Sequence, residues 1–194
     1  MKYIGSKTIE TDNLILRATK EEDLKPIWEI LCDVDVSKFY LVGKFNFDWE
    51  KEKEWQYKKL AKANNNDTFI WSVILKSQYK CIGQVSCQLS YNDKGEVNPD
   101  GIRDVGWFLD INYHSMGFGS ELAKAMINYM FNEVEIEKIE TSAAIVNPAS
   151  WKIMEKLGFK RLEKTKKVKY TFLNESVECY CYEITKDEFN KKML

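Results

Sequence analysis

The sequence predicts an α/β protein, more closely α+β, built on one mixed, mostly antiparallel sheet of seven strands. The order of alternating apolar and helix-periodic segments is βααβββαβαββ. Segments 68–75 and 81–90 are strand-like and separated by a short polar turn, as in an antiparallel hairpin. A single β-α-β crossover surrounds the glycines at 117 and 119, which makes part of the sheet parallel.

Local patterns place the other elements. A first strand is expected over 8–18, followed by a helix from Lys20 to about Cys32 that begins with a Thr19–Glu22 capping box. A second helix covers 49–63 and ends at the polar run 64–67. The remaining prediction is strand 103–110, helix 119–133, strand 137–146, helix 148–157 and strands 159–170 and 176–184. With neither a linker nor a repeat, residues 1–194 are expected to form one domain.

Composition narrows the function classes. The formal net charge is −1, which argues against nucleic-acid and anionic-membrane partners. The five cysteines are odd in number and contain no C-x-x-C, so neither a disulfide framework nor a metal site is expected. A cytoplasmic location is the simplest setting for such thiols. The oligomeric state stays open between monomer and homodimer.

The glycine turn is the first candidate site. Strand-like Val105–Leu109 precedes Gly117 and Gly119, after which Leu122 and Met126 begin a helical apolar face. Glycine lets backbone approach a ligand closely, and the free N–H groups and dipole of a helix start attract anions. A phosphate or pyrophosphate would suit this turn, although two glycines before a helix are more often a plain turn.

Four stretches resemble a known family in order and spacing. They are Ile9–Arg17, Asp104–Leu109, His114–Gly119 at the position of an [QR]-x-x-G-x-[GA] loop, and Asn147–Trp151 followed by Glu155–Phe159. Together they resemble the GNAT superfamily of N-acetyltransferases, and more narrowly its RimJ/RimL branch. The resemblance covers nearly the whole chain.

The resemblance implies acetyl-CoA as cosubstrate and a sheet splayed between the fourth and fifth predicted strands, with helices on both faces. The pantetheine arm would pair with backbone groups of Phe108, Leu109 and Asp110. The remaining cofactor-binding positions would be the loop residues His114, Ser115, Met116, Gly117, Phe118, Gly119 and Ser120, whose N–H groups from Ser115 onward would hold the pyrophosphate. His114, Ser115 and Met116 depart from the usual Gln or Arg, Gly and basic residue. His114 is the chain's lone histidine, and a phosphate or structural role is favoured over a general base.

The resemblance also indicates catalytic positions. The usual proton-donating Tyr of the helix after the fifth predicted strand is replaced by Met154. Asn147 and Ser150 would then contact the cofactor near its sulfur, Ser150 as thiolate partner or acid and Asn147 positioning the pantetheine or a water. Alternatively, Asn147 only caps the helix. Asp104 is a candidate base acting through water, against the alternatives of a surface carboxylate or no dedicated base.

The acceptor is expected to be a primary amine, either a protein N-terminus or a small molecule. Aromatic residues that could wall its site are Phe39, Tyr40, Trp49 and Trp107, and the acidic residues nearby are Asp93, Glu96, Asp100 and Asp104. A non-catalytic CoA-binding module on the same fold is the alternative. Dinucleotide binding fits poorly, because that fingerprint needs G-x-G-x-x-G after an early strand.

Overall fold

A computed structural model describes residues 1–63, 68–92, 94–99 and 101–193. These ranges contain eight strands in one sheet. The strands are β1 (Ile9–Glu10), β2 (Leu14–Ala18), β3 (Phe69–Leu75), β4 (Lys80–Leu89), β5 (Ile102–Leu109), β6 (Lys138–Ala144), β7 (Lys160–Val168) and β8 (Val177–Thr185). The sheet order is β1-β2-β3-β4-β5-β6-β8-β7, and every pairing is antiparallel except that of β5 with β6. The mixed, mostly antiparallel sheet is thus confirmed, with eight strands in place of seven.

Helices cover both faces of the sheet, as expected. They are α1 (Glu21–Leu31), α2 (Val34–Ser37), α3 (Trp49–Ala63), α4 (Phe118–Asn132), α5 (Pro148–Lys156) and α6 (Lys186–Met193). The main core lies on the face of α4, where Leu122, Met126 and Met130 are fully buried against the sheet. A smaller core lies on the opposite face, where Ile27 and Leu31 of α1 pack on Phe108 of β5. No helix in the described ranges is both long and apolar enough to cross a bilayer.

The sheet opens between β5 and β6, which confirms the expected splay. The parallel pairing consists of Ile102 with Lys138 and Arg103 with Ile139. Beyond those pairs β5 continues to Leu109 and β6 to Ala144 without pairing to each other. The Thr141 hydroxyl donates to the Val105 carbonyl at 3.1 Å where the strands begin to diverge. A slot lined by backbone therefore runs from this point toward the α4 end of β5.

Two local predictions are wrong by short distances. The predicted first strand is broken into β1 and β2, because Thr11 turns the chain: its N–H donates to the Leu14 carbonyl and its hydroxyl accepts from the Leu14 N–H, both at 2.9 Å. The capping box at the start of α1 consists of Lys20 and Asp23, one residue later than the expected Thr19 and Glu22. The Lys20 N–H donates to the Asp23 carboxylate at 2.9 Å. The Thr19 hydroxyl instead lies 3.1 Å from the hydroxyl of the buried Ser72. The predicted turn at 64–67 lies outside the described residues.

Candidate active site

The turn before α4 has the backbone conformation that only glycine adopts freely. Gly117 is the N-cap of α4 with φ +86°, and a Cβ added there would have open space around it. The glycine is therefore required by the left-handed conformation and not by crowding. Ser115 also has positive φ, at +62°. Two left-handed residues in three reverse the chain and aim its N–H groups outward.

This turn presents a row of unpaired backbone donors. Within the described ranges, these N–H groups have no hydrogen-bond partner: Ser115, Met116, Gly117, Phe118 and Gly119. The sixth donor of the sequence-based expectation, the Ser120 N–H, is occupied by the Gly117 carbonyl at 3.1 Å. The α4 dipole adds partial positive charge at the same place. Such a row is able to bind a diphosphate through backbone alone.

The second glycine of the loop has a packing role. A Cβ added to Gly119 would lie 2.9 Å from Cδ1 of Ile153 in α5. A side chain at this position of α4 would therefore have to displace the end of the Ile153 side chain. This contact packs the first turn of α4 against the second half of α5.

The backbone of β5 faces the slot on alternate residues. The Asp110 N–H donates to the Ile82 carbonyl at 2.8 Å, so it points toward β4. The Phe108 carbonyl points the same way, because a Cβ on Gly83 of β4 would lie 2.2 Å from it. Strand alternation then turns the backbone groups of Trp107 and Leu109 to the slot. Of the three residues expected to face the slot, only Leu109 does so, because the backbone groups of Phe108 and Asp110 point to β4. Trp107, which the sequence did not indicate, faces the slot as well.

His114 ties the loop to the end of β5. Its Nε2 lies 2.9 Å from the Leu109 carbonyl oxygen. A carbonyl only accepts, so Nε2 carries the proton and donates. The imidazole is thereby committed to a structural bond at the loop entrance.

Asn147 and Ser150 lie together in the first turn of α5. Asn147 is the N-cap of α5, as in the capping alternative, but its side chain makes no capping hydrogen bond. Within the described ranges the Ser150 hydroxyl also has no partner. The indole Nε1 of Trp151 donates to the Ile145 carbonyl at 3.0 Å and fixes this turn. Two unengaged polar groups therefore stand at the end of β6, whereas Met154 is 2% exposed and points into the core.

Asp104 begins the opposite side of the slot. Its Oδ1 accepts from the Val105 N–H at 2.9 Å. Burial raises the pKa of this carboxyl, and hydrogen bonding with Thr141 and Gln88 and the positive charge of Lys166 offset the rise only in part. The group is thus not an ordinary surface carboxylate. A carboxyl with a raised pKa is a stronger base once it is ionised.

Aromatic side chains cover the face of β5 that carries Asp104. The Tyr40 ring lies over Gly106, where an added Cβ would be 3.3 Å from Cε2, and it meets Phe108 edge-on at 4.7 Å. Burial raises the pKa of the Tyr40 hydroxyl to about 12. Phe39 meets Tyr170 edge-on at 6.0 Å, and Tyr170 is a residue that the sequence reasoning did not single out.

Other proposed wall residues lie elsewhere. Trp107 packs against the core on the α4 face, and the Trp49 ring lies 5.4 Å from that of Trp28. Glu96 is bound to Asn92 in an exposed turn. Asp93 and Asp100 lie outside the described residues. Among the residues that are described, no group of three His, Cys, Asp or Glu side chains could hold a metal ion.

Comparison with solved structures agrees with this geometry. The structure of a GNAT-family acetyltransferase from Bacillus anthracis has a TM-score of 0.73 at 25% identity, covering 93% of this chain and 99% of that one. RimJ of Mycobacterium smegmatis, solved in complex with a CoA disulfide, has a TM-score of 0.77 at 14% identity and covers 94% of this chain and 89% of its own. The second likeness concerns the fold alone.

Sequence comparison gives the family. YnaD of Bacillus subtilis, an uncharacterized N-acetyltransferase, is 28% identical over 182 residues, which cover 94% of this chain and 99% of the relative. The acetyltransferase (GNAT) domain family matches residues 13–160, more than half of the chain. The protein with this splayed sheet and glycine turn is therefore a member of the GNAT acetyltransferase family, whose enzymes use acetyl-CoA.

Proposed function

We propose that the protein transfers the acetyl group of acetyl-CoA to a primary amine by direct attack in a ternary complex. The observation that carries this proposal is the alignment of the slot between β5 and β6 with the row of free N–H groups at the start of α4. An anion-binding turn at one end and a backbone-lined slot beside it suit a long ligand with a diphosphate and an amide-bearing arm.

Each part of the cofactor has a partner in this arrangement. The N–H groups from Ser115 to Gly119 would hold the diphosphate, and His114 would keep their loop fixed to β5. The backbone groups of Trp107 and the N–H of Leu109, which face the slot, would pair with the pantetheine amides. Asn147 and Ser150 would lie near the thioester, because their helix starts where β6 ends.

The chain's own groups supply the proton chemistry. Acetyl-CoA supplies an activated thioester. The acetyl carbon forms a C–N bond with the acceptor amine as its C–S bond to CoA breaks. Asp104 takes the amine's proton through a water, and its raised pKa suits that role. The Ser150 hydroxyl donates to the departing sulfur in the absence of a Tyr at position 154. Asn147 holds the pantetheine or a water in place.

Cofactor binding is tested by placing charge in the loop without altering its backbone. Met116 is 59% exposed, so Met116→Glu and Met116→Gln are both sterically tolerable. The Glu variant should lose most of the thermal stabilisation by CoA, since its carboxylate would repel the diphosphate, while the matched Gln variant keeps it. Equal stabilisation of both variants by CoA would place the diphosphate elsewhere.

Turnover separates the enzyme from a non-catalytic CoA-binding module. The enzyme should release CoA thiol and form acetylated product in a broad panel of primary amines. Ser150→Ala should slow transfer by about tenfold while leaving CoA affinity nearly unchanged. Binding of CoA without turnover across the panel would favour the module.

The free cysteines bear on the cell compartment, and the family bears on the acceptor. All five cysteines are free, which supports a reducing, cytoplasmic compartment. A protein N-terminus and a small-molecule amine are both compatible with this chemistry. We propose no nucleic-acid or membrane partner, and a monomer or homodimer as the working assembly.

A further inference from the structure

We infer that the preferred acceptor is a small amine that also carries a carboxylate, such as a free amino acid, with its amine at Asp104 and its carboxylate at Lys166. This inference rests on the proposed function and names the substrate class of the same site. It depends on the placement of Lys166 across the sheet, on the same face as the candidate base.

The pairing register puts Lys166 on the acceptor side. Lys166 of β7 lies directly opposite Cys179 of β8, and Cys179 lies directly opposite Ala144 of β6. Directly opposed residues of antiparallel strands share a face, so these side chains form one row across three strands. Tyr170 and Phe39 pack on the same row, with the Tyr170 hydroxyl 3.4 Å from the Cys179 sulfur. The row therefore ends beneath the aromatic residues that cover the cleft.

Lys166 and Asp104 form the two charged ends of this cleft. The positive charge of Lys166 acts to lower the pKa of both Asp104 and Cys179, in agreement with its place on their face of the sheet. No ion pair joins it to Asp104, and within the described ranges Lys166 has no other hydrogen-bond or ion-pair partner. A fixed anion and a free cation thus lie on one face of the sheet, on which Gly106 lies beneath the Tyr40 ring and Ala144 packs with Tyr170. A zwitterion would complement both ends at once.

The same charges disfavour other acceptors. A polyamine needs several free carboxylates, but on this face Glu140 is already bound to Lys138 at 2.5 Å and Glu183 lies 3.6 Å from the same ammonium group. Lys166 would also repel a second cationic group. A protein N-terminus has no carboxylate beside its amine to meet this lysine.

The covering loops are joined above the cleft, which favours a small acceptor. The Thr171 N–H donates to the Leu41 carbonyl at 2.8 Å, and the Thr171 hydroxyl donates to the Gly43 carbonyl at 2.9 Å. These bonds hold the segment after β7 against the segment after α2. The Phe39, Tyr40 and Tyr170 rings are thereby held over the face of the sheet that carries Asp104.

The test compares amines that differ only in the carboxylate. Initial rates with acetyl-CoA are measured for arginine and agmatine, lysine and cadaverine, and phenylalanine, phenylalaninamide and phenethylamine, with spermidine added. We expect at least one amino acid to exceed its decarboxylated partner in kcat/KM by about tenfold or more. Lys166→Met should remove most of that ratio and Lys166→Arg should retain it. Lys167→Met, on the next residue and the opposite face, serves as the matched control and should leave the ratio unchanged.

The outcomes are separable. Turnover with equal rates for the matched pairs, a preference for spermidine, or a ratio unaltered in Lys166→Met would overturn the inference while leaving acetyl transfer intact. Absence of transfer to every amine, with CoA still bound, would overturn the proposed function itself. Protection of the protein against thermal unfolding by the preferred amino acid, lost in Lys166→Met, provides a second readout that does not depend on turnover.

Discussion

The imidazole Nε2 of His114 and the carbonyl oxygen of Leu109 lie 2.9 Å apart, joining the cofactor loop to the last residue of β5. Leu109 is also one of the two residues whose backbone faces the slot. One histidine bond therefore couples the diphosphate turn to the strand proposed to hold the pantetheine. The chain's lone histidine is in this way engaged at the loop through Nε2.

His114→Ala should consequently affect cofactor binding and not the proton chemistry. Loss of one hydrogen bond that positions the loop should raise the KM for acetyl-CoA by about fivefold. The pH profile of kcat should keep its shape, because the proposed base, Asp104, is retained. Steady-state kinetics across pH measure both quantities. Disappearance of an ionisation from the kcat profile would instead identify His114 as a base.

Asp104→Asn should remove the base while preserving the size of the side chain. We expect kcat to fall by about 100-fold. The wild-type rate requires the ionised carboxylate, so activity should be lost as pH falls through a pKa that burial raises above its ordinary value of 3.8. Measurement of the acidic limb with two acceptors whose amine pKa values differ separates the ionisation of the enzyme from that of the acceptor.

The control for Asp104 is Glu96→Gln, since Glu96 is an exposed carboxylate bound to Asn92 outside the cleft. It should leave both kcat and the acidic limb unchanged. An acidic limb that persists in Asp104→Asn would assign the ionisation to another group or to the acceptor.

Much of the fold was predictable because its signals are local. Periodic apolar spacing gave helix 49–63 with the bounds that the structure has, and the glycine turn was located before α4. The missed C-terminal helix α6 is short and mostly polar, and it depends on the contact of Phe189 with Phe131 of α4. Such a contact joins residues far apart in sequence. The local signal that was overlooked is the capping box of Thr185 and Glu188, in which each backbone N–H donates to the other side chain.

The parts of the site that escaped prediction depend on register. Whether Phe108 or Trp107 presents its backbone to the slot is decided by the hydrogen bond of Asp110 to Ile82, on another strand. The opposition of Lys166 to Cys179 likewise follows from the β7–β8 pairing. Asn147 was a reasonable cap from its residue type and the proline after it, but its backbone conformation, with ψ 73°, differs from the extended one of ordinary caps.

Gly119→Ala tests the approach of α4 to α5. The added methyl would lie 2.9 Å from Ile153 Cδ1, so overpacking should lower the free energy of unfolding by about 1–3 kcal/mol. Ile153→Val removes that Cδ1, and the double variant should recover a substantial part of the loss. Denaturant unfolding of the two single variants and the double variant measures the coupling. Additive effects would mean that Gly119 is needed for a reason other than this contact.

The pairing of Arg17 with Asp23 makes an acid-sensitive contribution to stability. Nη1 and Nη2 of Arg17 donate to the two carboxylate oxygens at 2.6 and 2.8 Å, and the buried Ser72 hydroxyl donates at 2.8 Å. Burial alone would raise the Asp23 pKa, but these bonds and the Lys20 N–H outweigh it and lower the pKa below the ordinary 3.8. A depressed carboxyl pKa stabilises the fold above the unfolded-state pKa, and this stabilisation is lost as pH falls through the folded-state value.

Asp23→Asn should therefore cost about 3 kcal/mol of unfolding free energy at neutral pH, because it leaves Arg17 without its partner at a mostly buried position. The cost should shrink as pH falls below the ordinary carboxyl pKa, since the wild type loses the same charge there. Glu22→Gln is the matched control: Glu22 is 67% exposed and 3.5 Å from Arg17, so its loss should change stability by less than about 0.5 kcal/mol. Denaturant titrations over a pH series give all three curves, and a Glu22→Gln cost equal to that of Asp23→Asn would show that the buried carboxylate is not the stabilising partner.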